Sequence, residues 1–288
     1  MLAAVQRLAF TAREVMEGAI SGLHQSPYHG FSVEFAQHRE YTPGDEIRYI
    51  DWKVAARSDR YYVKEFEEET NLKGYLLLDA SDSMRYQGDR RPYSKLEYAS
   101  LLLSALASLL IQQRDAAGLV VFNDGIQLNL PPRATGSQFG QILEHLVKVT
   151  TQPKSDLAPT FHTIAEQMRR RGLVVLFSDL FGDVMEVLSG LRHFRYRRHE
   201  LVVFHILDED EVTFPFHDLT KFEGLELEPD LLVDPRGVRE EYLRNFRGFC
   251  DELERGCREI HADLIRVTTS EPPGDALGRY LANRMRRT

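Results

Sequence analysis

The sequence predicts an α/β fold: a doubly wound, mostly parallel sheet of strand order 3-2-1-4-5-6, with helices on both faces and one antiparallel edge strand. Three observations carry that expectation. From Lys73 onward, short apolar runs alternate with longer segments of helical periodicity, the pattern of right-handed β-α-β crossovers. Two runs, 74–78 and 173–177, are continuously apolar rather than alternating, as strands covered on both sheet faces are. Each leads into a carboxylate, Asp79 and Asp179, at the strand end where open parallel sheets bind ligands.

Taken in order, residues 2–22 place Leu2, Val5, Leu8, Ala12, Val15, Met16 and Ala19 at helical spacing, which predicts a helix packed on the domain. Residues 24–59 are rich in turn formers and paired charges, including the turn Tyr41-Thr42-Pro43-Gly44-Asp45. Residues 47–52 and 60–66 read as extended pieces. These parts make an N-terminal helix and β extension, 1–72, ahead of a main domain, 73–288.

In the main domain the pattern predicts strand 74–79, helix 94–112 and strand 115–122. Asn123-Asp124-Gly125 then turns the chain into an antiparallel edge strand, 126–130, stopped by Pro131-Pro132. Helices 137–149 and 160–170, strand 171–179, helix 183–195 and strand 200–207 follow. A small β insertion is expected near 210–235, around Thr213-Phe214-Pro215-Phe216, Leu225-Glu226-Leu227 and Leu231-Leu232-Val233. Helix 236–260, strand 263–267 and helix 275–286 end the chain.

The totals exclude several classes. A net charge of −8 over 288 residues argues against a non-specific nucleic-acid binder. Cys250 and Cys257 stand seven apart in a helical pattern, about 10 Å of rise, too far for a disulfide; both read as core. Arg7 and Arg13 interrupt the first apolar pattern, so it does not read as a secretory signal. The apolar run 99–111 is too short to span a bilayer. A soluble, cytoplasmic protein with no transmembrane segment is expected. The basic stretch 192–198, with His193 and His199, has no metal-ligand spacing and reads as a solvated helix end. No Gly-x-Gly-x-x-Gly, Walker loop or Gly-x-Ser-x-Gly elbow occurs. An aspartyl-nucleophile phosphatase would need a second Asp where Ser81 stands. No catalytic residue and no nucleotide cofactor are therefore assigned.

The chemistry expected is that of a metal. Asp79-x-Ser81-x-Ser83 offers three oxygens on one tight loop, the donor type that Mg²⁺ or Mn²⁺ takes. The strand order sets Asp179 beside it, and the loop before helix 160–170 brings Ser155 and Asp156 to the same edge. Together these residues resemble the metal-ion-dependent adhesion site of von Willebrand factor A domains. That resemblance implies a magnesium ion held, directly or through water, by Asp79, Ser81, Ser83, Asp179 and a hydroxyl at the family's Thr position, here Ser155. Thr160 is the rival for that hydroxyl. The resemblance also implies a protein partner whose carboxylate completes the shell.

Further motifs narrow the resemblance. Glu34-Phe35, Arg39-x-Tyr41-x-Pro43-Gly44-Asp45, Ile50-Asp51-Trp52 and Ala55-Ala56-Arg57 precede the domain. Phe214-Pro215-Phe216, Phe222-Glu223, Val233-Asp234-Pro235 and Arg239-x-x-Tyr242 follow. Together they are similar to the bacterial domain-of-unknown-function family associated with MoxR-type AAA+ ATPases. An adaptor or co-chaperone partner of such an ATPase is what that similarity implies. Arg39, Asp45, Arg48, Asp51 and Arg57 read as a salt-bridge web pinning the N-terminal segment. The alternatives are a Mg²⁺-dependent hydrolase acting on phosphoesters through the same ion, and a structural domain whose site is vestigial.

Overall fold

The computed structural model describes residues 2–20, 32–40, 54, 62–69, 72–89, 91–153, 157–226 and 229–285. The chain divides into two bodies, Met1–Pro27 with Lys73–Thr288, and Tyr28–Leu72. The first helix, α1 (Leu2–Ile20), thus belongs to the larger body rather than with the extension that follows it in sequence. The smaller body pairs β1 (Ser32–Glu40) with β2 (Tyr62–Glu69) antiparallel, with a bulge between Phe35 and Gln37. Pro43-Gly44-Asp45, Ile50-Asp51-Trp52 and the side chains of the expected salt-bridge web lie outside the described residues.

The larger body continues with β3 (Lys73–Asp79), α2 (Lys95–Gln112), β4 (Ala116–Phe122), β5 (Ile126–Arg133), α3 (Gly136–Leu146), α4 (Ala158–Gln167) and β6 (Leu173–Ser178). Then come α5 (Val184–Tyr196), β7 (Glu200–Leu207), α6 (Glu209–Thr213), β8 (Thr220–Phe222), β9 (Leu231–Val233), α7 (Pro235–Glu259), β10 (Asp263–Thr268) and α8 (Pro273–Met285). The sheet runs β10-β7-β6-β3-β4-β5, and only the β4–β5 pair is antiparallel. This is the predicted order.

Helices cover both faces. Along β3, Tyr75 and Leu77 join the cluster that includes Phe161 of α4, Val187 of α5 and Leu253 of α7. Gly74 abuts Leu110 of α2 on the opposite face. There α2 is roofed by α1 and α8. Being covered all round, α2 can be apolar on every side. It is the one described helix long and apolar enough to cross a membrane, and 78% of that span is buried in the protein. Its start is set by a capping box: Ser94 Oγ accepts from Glu97 N at 3.2 Å, and Glu97 Oε2 accepts from Ser94 N at 2.9 Å.

Two elements differ from expectation. β5 runs through Pro131 and Pro132 to Arg133 instead of stopping before them. An edge strand needs no outward N–H, so it tolerates proline. The segment after Asp208 opens as a helical turn, α6, not as a strand. Asp208 Oδ1 accepts from Asp210 N at 3.0 Å and Glu211 Oε2 accepts from Asp208 N at 2.6 Å, which stabilises helix locally. The β part of the insertion is the short hairpin β8–β9.

Strand β6 enters the sheet through Gly172, where a Cβ would stand 2.2 Å from the Lys73 carbonyl oxygen. Backbone cannot yield as a side-chain tip can. Gly172→Ala is therefore expected to cost about 1–3 kcal/mol in urea unfolding, and an unchanged midpoint would show that β3 and β6 tolerate a wider approach.

Candidate functional site

The site begins with register. Leu78 of β3 lies opposite Phe177 of β6, so Asp79 and Ser178 reach the carboxyl edge at the same level. Asp79 is fully buried. Its Oδ1 accepts from Ser81 N at 2.9 Å, which folds the chain back over the carboxylate. Its Oδ2 accepts from Ser178 Oγ at 2.5 Å, and the same hydroxyl accepts from Leu180 N at 2.9 Å. Ser178 thus ties the two acidic strand ends together. Ser81 and Ser83 are also buried, with their Oγ atoms 3.1 Å apart. The chain around Gln152 reaches this loop by Gln152 N donating to Ala80 O at 3.0 Å. Ser155 and Asp156 lie outside the described residues. Thr160 is buried on α4, and its hydroxyl has no hydrogen-bond partner among the described residues.

The second acid is differently placed. After β6 the chain passes through Leu180 at φ 53°, a left-handed conformation costly for a side-chain-bearing residue. Ser178 Oγ on Leu180 N, and Asp179 Oδ1 accepting from Phe181 N at 3.1 Å, hold the turn. The turn buries Leu180 and leaves Phe181 54% exposed. The other oxygen of Asp179 accepts from Lys95 Nζ at 2.8 Å, and Lys95 also donates to Glu211 Oε1 at 2.7 Å. Lys95 is 1% exposed. Burial alone would lower its pKa, but Asp179 and Glu211 more than offset this and hold the ammonium above its ordinary range. Burial lifts the Glu211 carboxyl, and Lys95 reverses only part of that rise.

Sequence reasoning missed Lys95. A signal existed: a lysine in the first turn of a helix opposes the helix dipole, so it needs a nearby acid. Glu226 was also missed; its Oε1 accepts from Ser83 N at 2.7 Å, bringing the insertion to the Asp-x-Ser-x-Ser loop. His205 stands behind Asp179, wholly buried. Its Nε2 is 3.0 Å from the Asp179 carbonyl oxygen, which can only accept, so this nitrogen carries the hydrogen. Burial pushes the His205 pKa down to about 4, against the opposing pull of Asp179. In the basic stretch, Arg195 turns inward to the Ile260 and His199 carbonyls, and His199 is buried.

Beside the acids opens a pocket of about 560 Å³. Its floor includes Ser83, Lys95 and Asp179, and its wall is the insertion with α7. The motif pieces scattered in sequence meet here. Arg239 donates to the carbonyls of Phe214 and Thr213, and Tyr242 Oη donates to Glu211 O at 3.1 Å. Phe214, held at φ 47°, stacks on Phe222 with ring centroids 5.7 Å apart and lies 4.5 Å from Tyr242.

Asp79 at the end of β3 and the two serines of the loop after it fit a small hard cation. Neighbouring oxygens around octahedral Mg²⁺ are separated by about 3 Å, close to the 3.1 Å between the Ser81 and Ser83 hydroxyl oxygens. Asp79 supplies a buried carboxylate on the same loop. Asp179 fits less freely, because an ammonium already neutralises it.

Among known proteins, an uncharacterized Mycobacterium tuberculosis protein, Rv1480, is 25% identical over 99% of this chain and 90% of its own length. YeaD of Bacillus subtilis is 32% identical over 143 residues, 49% of this chain and 33% of that protein. The crystal structure of an aerotolerance-related membrane protein from Bacteroides fragilis superposes with a TM-score of 0.50 at 16% identity, over 75% of this chain and all of the other. That likeness concerns the fold. The observed strand order, with Asp-x-Ser-x-Ser closing the central strand and Asp179 following its neighbour, is the arrangement that the sequence resemblance implied. The model of the family described as "Protein of unknown function DUF58" matches residues 37–248, and the chain belongs to that family.

Proposed function

We propose that the carboxyl edge of the sheet is a metal-assisted protein-docking site, and that the chain works as an adaptor or co-chaperone of a MoxR-type AAA+ ATPase. The observation that carries the metal is the pair of buried hydroxyls 3.1 Å apart beside the buried carboxylate of Asp79. Asp79, Ser81 and Ser83 would hold Mg²⁺ or Mn²⁺, with Ser155 as the further hydroxyl and Asp179 as the outer carboxylate. When bound, the ion supplies positive charge to which a partner's Asp or Glu is drawn. The protein's own part is orientation. Ser178 fixes the Asp79 carboxylate, the Ser81 amide folds the loop over it, and Lys95 holds Asp179 in place. Phe181, exposed next to Asp179, offers a partner an apolar contact.

Calorimetric titration with MgCl₂ and MnCl₂ tests the site. Asp79→Ala is expected to weaken binding by about 10–100-fold, and equal binding by both proteins would sink the metal. Co-purification of an AAA+ ATPase with the wild type, in Mg²⁺ and in a chelator, tests the partner; recovery unaffected by the chelator would refute metal-assisted docking.

A further inference from the structure

We infer that the pocket beside the acids receives a cationic side chain of the partner, specifically the guanidinium of an arginine. The inference deepens the reading of this edge as a docking site and does not depend on the metal. Its walls are aromatic: Phe214, Phe216, Phe222 and Tyr242 line it. Phe214 is 5% exposed, stacked on Phe222 and packed against Tyr242, so the half-buried Phe216, Phe222 and Tyr242 supply the ring surface that faces the pocket. The charge around them is one-sided. Asp179, Asp210, Glu211, Glu223, Glu226 and Glu241 line the pocket, against Lys95 as the one lining amine among the described residues.

Lys95 is already engaged by Asp179 and Glu211. Lys221, which reaches Glu223 at 3.2 Å, shares its charge with Asp230, and Arg239 turns its guanidinium to the Phe214 and Thr213 carbonyls of the same wall. Six lining carboxylates against these three cations leave the pocket net negative. Tyr86, hydrogen-bonded to Asp210 at 3.0 Å, registers that field: burial first, then Asp210, Asp208 and Glu211, push its phenol up.

Aromatic faces with carboxylates at their edges suit one chemistry. A cation gains from the ring quadrupoles and from the acids together, whereas an anion would meet like charge. Among cationic side chains, the planar guanidinium both stacks on rings and donates in a fork to carboxylates. The volume of about 560 Å³ admits an arginine with its neighbouring residues. Leu231, 58% exposed, lines the pocket and gives the flanking peptide an apolar contact.

The probes are two acetylated, amidated tripeptides, Phe-Arg-Phe and Phe-citrulline-Phe, titrated into the full chain by calorimetry. Citrulline keeps the shape and removes the charge. The arginine peptide is expected to bind about tenfold tighter than the citrulline peptide, and added salt should narrow the gap. Glu241→Gln, an exposed substitution on α7, should reduce the preference several-fold without loss of fold. Equal affinity for the two peptides, or no arginine-peptide binding at millimolar concentration, overturns the inference. Asp79→Ala separates the two readings, since Asp79 is not among the pocket's lining residues. That variant is expected to keep arginine-peptide binding while losing Mg²⁺. Wild type that binds the peptide but not Mg²⁺ defeats the metal alone, and wild type that binds Mg²⁺ but not the peptide defeats this inference alone.

Discussion

Lys95→Ala is expected to lower the unfolding free energy by about 3–5 kcal/mol, the cost of stripping a buried pair of one partner. The ammonium is wholly buried and bonded to Asp179 and Glu211 at 2.8 and 2.7 Å. Without it, Asp179, its side chain 3% exposed, and Glu211, its side chain 27% exposed, both lose that cation. Most of the loss comes from their uncompensated desolvation rather than from the attraction itself. The triple replacement Lys95→Met, Asp179→Asn, Glu211→Gln is therefore expected to be more stable than Lys95→Met alone. Guanidinium unfolding at neutral pH measures both, and a loss below about 1 kcal/mol for Lys95→Ala, the range of exposed pairs, would show that Lys95 is not the counter-charge of this edge. The same variant links stability to function. On the proposed metal reading, Mg²⁺ should stabilise Lys95→Met more than it stabilises wild type, as expected of two cations that compete for one carboxylate.

Acidification is expected to remove about 3 kcal/mol between pH 6.5 and 4 through His205. In the unfolded chain this imidazole takes up its proton near 6.5, and in the folded chain only near 4, because it is buried. Within that window the unfolded state binds more protons, so each step down in pH favours unfolding. Above the window both states are neutral at this position and the contribution is flat. His199, also buried and also pushed down by its burial, acts in the same direction. His205→Gln should therefore shallow the slope without abolishing it. An identical pH profile for the variant would mean that His205 is protonated alike in both states. The neutral ring matters to the site because its Nε2 hydrogen anchors the Asp179 carbonyl.

Much of the fold was readable from the residues. Continuous apolar runs marked β3 and β6 as central strands, and Asp124-Gly125 marked the β4–β5 hairpin. Alternation with helices then left few orders open, because parallel connections are right-handed and sequential strands tend to be neighbours. That sufficed to place Asp79 and Asp179 on one edge. The five-residue α6 was not readable by periodicity, since so short a helix completes little more than one turn. Its capping pair, Asp208 and Glu211, was the only local sign.

The sequence by itself determined the strand order, the buried strand ends and the oxygen donors on the Asp79 loop, because each follows from local pattern and the handedness of the chain. The tertiary structure alone decided what those donors face. Lys95 meets Asp179 from 84 residues away and Glu211 from 116, and Glu226 meets Ser83 from 143. Arg239 and Tyr242 close the aromatic wall from α7. Pairings over such distances obey no period and carry no spacing rule. They are settled by which charges the packed sheet and helices exclude from water together, since a buried charge must find its partner wherever the chain brings one.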